Sequence, residues 1–240
     1  IAQKVAMEGI DVTLVDREAR FVEAGLARIR ASLEEAAARK VVSAAAAREI
    51  QGRIASSADL AAVRGCDLVI EAVFEDRAVK KEVFRRLDEV CAAETVLATN
   101  TSSFTVSELA EAAARPERVV GLHFFYHPAK NRLVEVVAGR GTGAVSLARA
   151  WSFTERIGKI PIRSADASGF VVNRFFVPWV NEAARLVEEE VADIAAIERA
   201  AKEAFGIGMG PFELMNVTGV PISLHAAARL AEGFGPFYAP

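Results

Sequence analysis

The sequence predicts an α/β fold, with a doubly wound parallel sheet followed by a smaller all-helical domain. Strand-like apolar runs alternate with helix-like segments over residues 1–165, and the connections between them are short. Residues 67–73 form a nearly continuous apolar run, which is typical of a strand buried on both faces of a parallel sheet. No strand pattern returns after Ser164, so we expect two domains, at residues 1–165 and 166–240.

Each predicted element follows from a local pattern. Ala2, Val5 and Ala6 share one face of a helix, and Gly9 ends it. Residues 76–92 place apolar side chains at helical spacing. The predicted strands are residues 10–16, 67–73, 95–99, 118–125, 132–137 and 160–162, and the other predicted helices are residues 107–114, 146–157, 171–190, 194–205 and one that begins at Pro211.

The segment between the first two predicted strands is different in character. Residues 17–54 are charged and rich in alanine. They predict a long helical pair, or hairpin, inserted into the sheet, with residues 41–47 near its turn.

Charge and composition exclude several classes of partner. The net charge is −3, so no basic excess points to nucleic acid or to an anionic membrane surface. The apolar stretches are shorter than the roughly 20 residues that a membrane-spanning helix needs. Cys66 and Cys91 are isolated in the sequence, so we expect them to be small buried side chains in a protein of a reducing compartment. Since no His, Cys and carboxylate cluster has metal-ligand spacing, we expect no metal site.

Four polar motifs stand at the ends of apolar runs, where an α/β sheet delivers side chains into a cleft. They supply a hydroxyl, an imidazole, a carboxylate and an amide, which suffice to remove a proton from an alcohol while a cofactor takes the hydride. The motifs are Asn-Thr-Ser-Ser at 100–103, His-Phe-Phe at 123–125, Leu-Val-Glu-Val-Val at 133–137 and Gly-Phe-Val-Val-Asn-Arg at 169–174.

The carboxylate of Glu135 is the most informative of these groups, because it interrupts an apolar strand. An unpaired buried carboxylate costs several kcal/mol or more. His123 lies on a strand of the same predicted sheet, and histidine can take up and return a proton near physiological pH. We therefore expect a pair in which Glu135 orients the His123 ring. A satisfied core histidine and an exposed sheet edge are the structural alternatives.

Other polar residues have a structural interpretation beside the functional one. Asp16 ends a strand, where an acid can bind an adenosine ribose and favour NAD over NADP, or can cap a helix. Glu75 and Lys80 follow another strand, where they could contact a cofactor or lie on a solvated helix end. Ser102 could bind a substrate oxygen or cap a helix, and Asn173 could polarise a carbonyl or bond at a helix start.

In order and spacing, the four motifs resemble those of the 3-hydroxyacyl-CoA dehydrogenases, and the resemblance runs from residues 1–3 to Met-Gly-Pro-Phe-Glu-Leu at 209–214. It implies a Rossmann-like NAD-binding domain with the hairpin insertion, then a helical domain. It also implies oxidation of a (3S)-3-hydroxyacyl-CoA to the 3-oxoacyl-CoA with NAD, in fatty-acid or aromatic-acid β-oxidation. The implied protein is a cytoplasmic homodimer.

The resemblance assigns four residues to the reaction. His123 would be the general base for the 3-hydroxyl, with Glu135 as its orienting partner. Ser102 would bond the reacting oxygen, and Asn173 would contact the substrate.

It assigns a second group to the cofactor. Asp16 would bind the adenosine ribose, while Glu75, Lys80 and Asn100 would contact other parts of NAD. The helical hairpin would help to hold coenzyme A.

The sequence also departs from the family pattern. Tyr126-His127 stands where the family has Asn-Pro, which bears on acyl-chain specificity and cofactor affinity. In domains of this family, a glycine-rich phosphate loop would lie upstream of residues 1–9. We also expect that the chain is fused to further catalytic domains beyond Pro240. The alternatives are a non-catalytic, crystallin-like or scaffolding descendant and a dehydrogenase of a 3-hydroxy acid without coenzyme A.

Overall fold

The computed structural model describes residues 1–240, which divide into two units. The sheet unit comprises Ile1–Asn100 and Val106–Arg163. The helical unit comprises Ser164–Pro240 together with the short segment Thr101–Thr105. The Asn-Thr-Ser-Ser motif is thus divided between the units after its first residue.

The sheet unit contains all seven strands of the chain. The strands are β1 (Val12–Val15), β2 (Ile54–Ser57), β3 (Leu68–Glu71), β4 (Val96–Thr99), β5 (Val119–Phe124), β6 (Leu133–Val137) and β7 (Ile160–Ser164). A five-stranded sheet has the order β3-β4-β5-β6-β7, and β1 and β2 form a separate parallel pair.

Two strands differ from the expected pattern. β2 was not predicted, and it begins at Ile54, the last residue of the segment that the sequence predicts to be helical. β6 is antiparallel to β5, whereas β3, β4 and β5 are parallel to one another. The reason for the antiparallel step is length: a parallel crossover needs about a dozen residues or more, and only residues 125–132 connect β5 to β6.

The helices of the sheet unit include the predicted hairpin. Its two helices pack through Leu33, Ala47 and Ile50 against Ala6 of the first helix. The Ser43 hydroxyl accepts a hydrogen bond from Ala46 N and so caps the second arm. The helices are α1 (Ala2–Met7), α2 (Ala19–Ala38), α3 (Ala44–Gly52), α4 (Arg77–Val90), α5 (Val106–Ala110) and α6 (Ala144–Arg156).

The main core lies on one face of the five-stranded sheet. Leu122 and Phe124 of β5 and Val134 and Val136 of β6 point to this face, where α6 covers them with residues that include Ala150. Because side chains alternate along a strand, the residues between them point to the opposite face. His123 and Glu135 are therefore directed away from this core.

The opposite face is covered by α5, and its close approach depends on Gly121. A Cβ atom at Gly121 would lie 2.8 Å from Val106 Cγ2 and 2.9 Å from Val137 Cβ. Glycine thus lets α5 pack directly on β5, two residue pairs before His123 and Glu135 in the strand ladder.

The helical unit consists of four helices. Val177, Ala227 and Leu230 form its buried cluster. The predicted third helix is two helices in the structure, because Gly219, with φ of 101°, separates them. The helices are α7 (Val172–Glu188), α8 (Ile194–Phe205), α9 (Pro211–Thr218) and α10 (Val220–Phe234).

None of the helices of either unit combines the length and the apolar character that crossing a membrane requires.

The packing of α5 generates a stability prediction. We expect Gly121→Ala to lower the free energy of unfolding by about 1–3 kcal/mol, because the added methyl overpacks the contact with Val106 and Val137. Gly52→Ala is the matched control, since a Cβ there meets nothing within 4 Å. Urea denaturation measures both. Equal stability of the two variants would contradict the packing argument.

Candidate active site

His123 and Glu135 form the centre of the candidate site in the sheet unit. They are directly opposite each other in the antiparallel register of β5 and β6. Their side chains share the α5 face, and His123 Nδ1 lies 2.6 Å from Glu135 Oε2. The contact expected from the sequence is therefore present, and strand register alone delivers it.

Both side chains are withdrawn from solvent. Glu135 is 0% exposed and His123 is 6% exposed. The alternative of an exposed sheet edge for Glu135 is thereby excluded. At 2.6 Å in a buried setting, the contact has the length of a charge-assisted hydrogen bond. Because Glu135 engages Nδ1, Nε2 is the nitrogen at which the ring can exchange a proton with another group.

Asn100 holds the end of the strand that carries His123. Its Oδ1 accepts a hydrogen bond of 2.9 Å from Phe124 N, and its own backbone N donates to Glu71 O at 2.8 Å. The carboxyl ends of β3, β4 and β5 are thus joined at one edge. The predicted cofactor contact of Asn100 remains a prediction, and its carbonyl oxygen already serves the backbone.

Lys159, which is 6% exposed, stabilises the loop that follows β5. Its ammonium donates hydrogen bonds to the carbonyl oxygens of Pro128 and Asn131. Burial, followed by the charge of Lys130, lowers the pKa of His127 in the same loop. Tyr126 is exposed at its start, three residues after His123.

Asp16 lies at the carboxyl end of β1, on the surface. Its Oδ1 accepts a hydrogen bond of 2.7 Å from Arg17 N. An exposed acid at this end of a parallel strand can bind the hydroxyl groups of a ribose and would repel a 2′-phosphate. This arrangement fits NAD better than NADP.

Glu75 and Lys80 follow β3 and interact with each other. Lys80 Nζ lies 3.2 Å from Glu75 Oε2 and 2.7 Å from Glu71 Oε1. The Lys80 side chain is 1% exposed, so it is not the solvated surface lysine that one alternative offered. Asp76 caps α4 by accepting a hydrogen bond from Val79 N.

The other two predicted site residues belong to the helical unit. Asn173 lies in the first turn of α7, and its Nδ2 donates to the backbone oxygen of Ser102 at 3.4 Å. In the same segment, Thr101 Oγ1 accepts a hydrogen bond of 3.1 Å from Phe104 N, which shapes the turn that presents Ser102. Ser102 and Asn173 are therefore neighbours within that unit.

Glu71, the last residue of β3, is a buried carboxylate that was not predicted to belong to the site. It is 3% exposed and makes hydrogen bonds to Lys80, Val73 N and Thr99. The sequence does carry a signal for a buried carboxylate here, because Glu71 ends an apolar run in the way that Glu135 interrupts one. The cost of an unpaired buried carboxylate applies equally to both.

Together, these features define a class of protein. An acid that follows a parallel strand, Asp16 after β1, and a buried histidine–carboxylate pair on β5 and β6 of the five-stranded sheet are features of a nicotinamide-dependent dehydrogenase. The carboxylates of Asp16 and Glu75, which can accept hydrogen bonds from ribose hydroxyls, fit NAD, whose part in such a reaction is to accept the hydride.

The family follows from comparison with known proteins. Residues 1–167 match the model of the 3-hydroxyacyl-CoA dehydrogenase NAD-binding domain, and residues 169–240 match the C-terminal domain of the same family. The chain belongs to the 3-hydroxyacyl-CoA dehydrogenase family and is an NAD-dependent oxidoreductase.

Individual relatives agree with this assignment. The 3-hydroxybutyryl-CoA dehydrogenase of Clostridioides difficile is 34% identical, over 98% of this chain and 84% of the relative. The human mitochondrial hydroxyacyl-coenzyme A dehydrogenase is 37% identical, over 92% of this chain and 72% of the relative. The crystal structure of (S)-3-hydroxybutyryl-CoA dehydrogenase from Ralstonia eutropha superposes with a TM-score of 0.93, at 30% identity, over 100% of this chain and 85% of that one.

The contact between Lys159 and the loop after β5 generates the second prediction. We expect Lys159→Met to lower the free energy of unfolding by about 1–3 kcal/mol, because two backbone carbonyls lose a charged donor. Lys81→Met is the control, since Lys81 makes a surface ion pair with Glu111, of a kind worth about 0–1 kcal/mol. Guanidinium denaturation compares them. A loss for Lys159→Met no larger than that of the control would show that the loop does not depend on this ammonium.

Proposed function

We propose that this chain oxidises short-chain (3S)-3-hydroxyacyl-CoA thioesters, with His123 as the general base. The buried hydrogen bond between His123 and Glu135 is the observation that carries the proposal. A neutral His123 imidazole accepts the proton of the 3-hydroxyl at Nε2 as C3 loses a hydride, for which NAD, when bound, would be the acceptor. The atoms balance, because the alcohol loses one proton and one hydride and becomes a ketone.

Glu135 has two effects on this step. Its Oε2 holds Nδ1 as the protonated nitrogen, so the lone pair of the neutral ring lies on Nε2. When the ring takes up the substrate proton, the buried carboxylate stabilises the imidazolium. In the reverse direction, the same imidazolium returns the proton to the 3-oxo group.

The remaining predicted residues are proposed to bind and orient the substrate and the cofactor. Ser102 bonds the reacting oxygen and Asn173 contacts the acyl group, and their proximity in the helical unit supports a joint role. Asp16 binds the adenosine ribose, and Glu75 contacts the cofactor. We retain residues 1–165 and 166–240 as the two domains.

The substrate class is inferred from the relatives. Those of Clostridioides difficile and Ralstonia eutropha are named for 3-hydroxybutyryl-CoA. The hairpin of α2 and α3 supports coenzyme A as the carrier, because it adds a long charged surface beside β1 and β2. A four-carbon acyl thioester is therefore the proposed substrate.

The test is NADH oxidation by the full-length protein with acetoacetyl-CoA, compared with free acetoacetate and with longer 3-oxoacyl-CoA substrates. We expect turnover with the thioester, little with the free acid and a decline with chain length. Turnover of the free acid alone would indicate a 3-hydroxy acid dehydrogenase. NADH binding without any turnover would indicate a non-catalytic descendant.

The catalytic pair generates the third prediction. We expect His123→Gln and Glu135→Gln each to lower kcat about 10²–10⁴-fold, because the base is lost in one and its orientation and charge stabilisation in the other. Circular dichroism should show both variants folded. His225→Gln is the control, since His225 is exposed on α10. Near-normal kcat in both site variants would overturn the proposed roles.

We further propose a cytoplasmic homodimer that associates through the helical unit. This unit exposes large apolar side chains, which a second copy would cover: Phe175, Phe205, Ile222, Leu224 and Phe237.

The fourth prediction follows from this proposal. We expect light scattering to give twice the chain mass, and Ile222→Asp combined with Leu224→Asp to give a single chain. A monomeric wild type would contradict the dimer and would leave the proposed chemistry standing.

A further inference from the structure

Glu71 is the centre of a buried polar cluster at the carboxyl edge of the sheet. Its Oε1 accepts hydrogen bonds of 2.7 Å from Lys80 Nζ and from Val73 N. Its Oε2 accepts one of 2.7 Å from Thr99 Oγ1. One carboxylate thus joins the end of β3, the loop after it, helix α4 and the end of β4.

Lys80 is held as completely as Glu71. Its Nζ lies within hydrogen-bond distance of three oxygens, at 2.7 Å from Glu71, 3.2 Å from Glu75 and 3.3 Å from the backbone oxygen of Val73. An ammonium has three donors, and these acceptors use them. Because its side chain is 1% exposed, Lys80 acts on its surroundings through these oxygens.

The cluster fixes the loop after β3. Val73 is held through both its N–H and its carbonyl, and Glu75 is attached to the same ammonium. The Glu75 side chain remains 25% exposed, whereas that of Glu71 is 0% exposed. Glu75 is the member that can reach a ligand, and Glu71 and Lys80 set its position.

The same cluster extends toward His123. The backbone oxygen of Glu71 accepts a hydrogen bond from Asn100 N, and Asn100 Oδ1 in turn accepts one from Phe124 N. These bonds tie the loop after β3 to the strand that carries the base.

We propose that Glu71 is a positioning residue for NAD. It holds the Lys80 ammonium, which holds Glu75 and the loop after β3 in the conformation that receives the cofactor. The inference rests on the proposed contact between Glu75 and NAD. It assigns to Glu71 no contact with substrate or cofactor.

Glu71→Gln tests the proposal, because it preserves size and removes the charge that balances the ammonium. We expect the Kd for NADH, measured by fluorescence titration, to rise at least tenfold. The KM for acetoacetyl-CoA at saturating NADH should change less than twofold. Amide hydrogen exchange should accelerate in peptides that cover residues 72–76.

Asp88→Asn is the matched control. Asp88 and Arg118 form another ion pair of the sheet unit, in which the Arg118 side chain is 3% exposed, the Asp88 side chain is 10% exposed, and Arg118 Nη2 lies 2.5 Å from Asp88 Oδ1. Arg118 directly precedes β5, so this pair lies at the amino end of that strand, opposite to the edge that holds Glu71. We expect Asp88→Asn to destabilise the fold and to leave the Kd for NADH within twofold of wild type.

A second variant covers the case in which Glu71→Gln does not fold. Replacing both partners, as Glu71→Met with Lys80→Met, removes the buried charges together, and such replacements are often neutral for stability. We expect this variant to fold and to show the same weakened NADH binding. A folded Glu71→Gln or double variant with wild-type affinity overturns the positioning role alone. A wild type that binds no NADH overturns the proposed function as well.

Discussion

The buried hydrogen bond between His123 and Glu135 is the interaction on which the rest of the site depends. A carboxylate with no exposed surface requires a partner, and the antiparallel register of β5 and β6 brings the His123 ring to it. The main core needs the alternate residues of both strands on the opposite face. A shift of one residue in register would therefore both expose the core side chains and separate His123 from Glu135.

The surrounding structure holds this register from several directions. Helix α5 packs against Gly121 on the face that carries His123 and Glu135, and α6 covers the other face. Asn100 holds the end of β5, and Lys159 holds the loop that follows it. The polar groups of the site are thus supported by backbone contacts from neighbouring strands, and the ring can keep one orientation through a reaction cycle.

Much of this arrangement could be predicted from the sequence. Apolar runs located β3, β4, β5 and β6, and the interrupted run around Glu135 predicted its pairing with His123. β2 was missed because its Ile-Ala-Ser-Ser sequence is short and has little apolar pattern, and only pairing with β1 makes it a strand. The burial of Lys80 was missed because it arises from contacts that form only in the fold: its ammonium pairs with Glu71 of β3, and Glu71 in turn accepts a hydrogen bond from Thr99, 28 residues further along the chain.

The tautomer of His123 is the most direct test of the central interaction. The protein has three histidines, so ¹⁵N-labelled wild type compared with His123→Gln identifies the ring resonances. We expect the neutral ring to carry its proton on Nδ1, toward Glu135, with the lone pair on Nε2. A neutral ring that is protonated on Nε2 would contradict it, because that nitrogen could not accept the substrate proton.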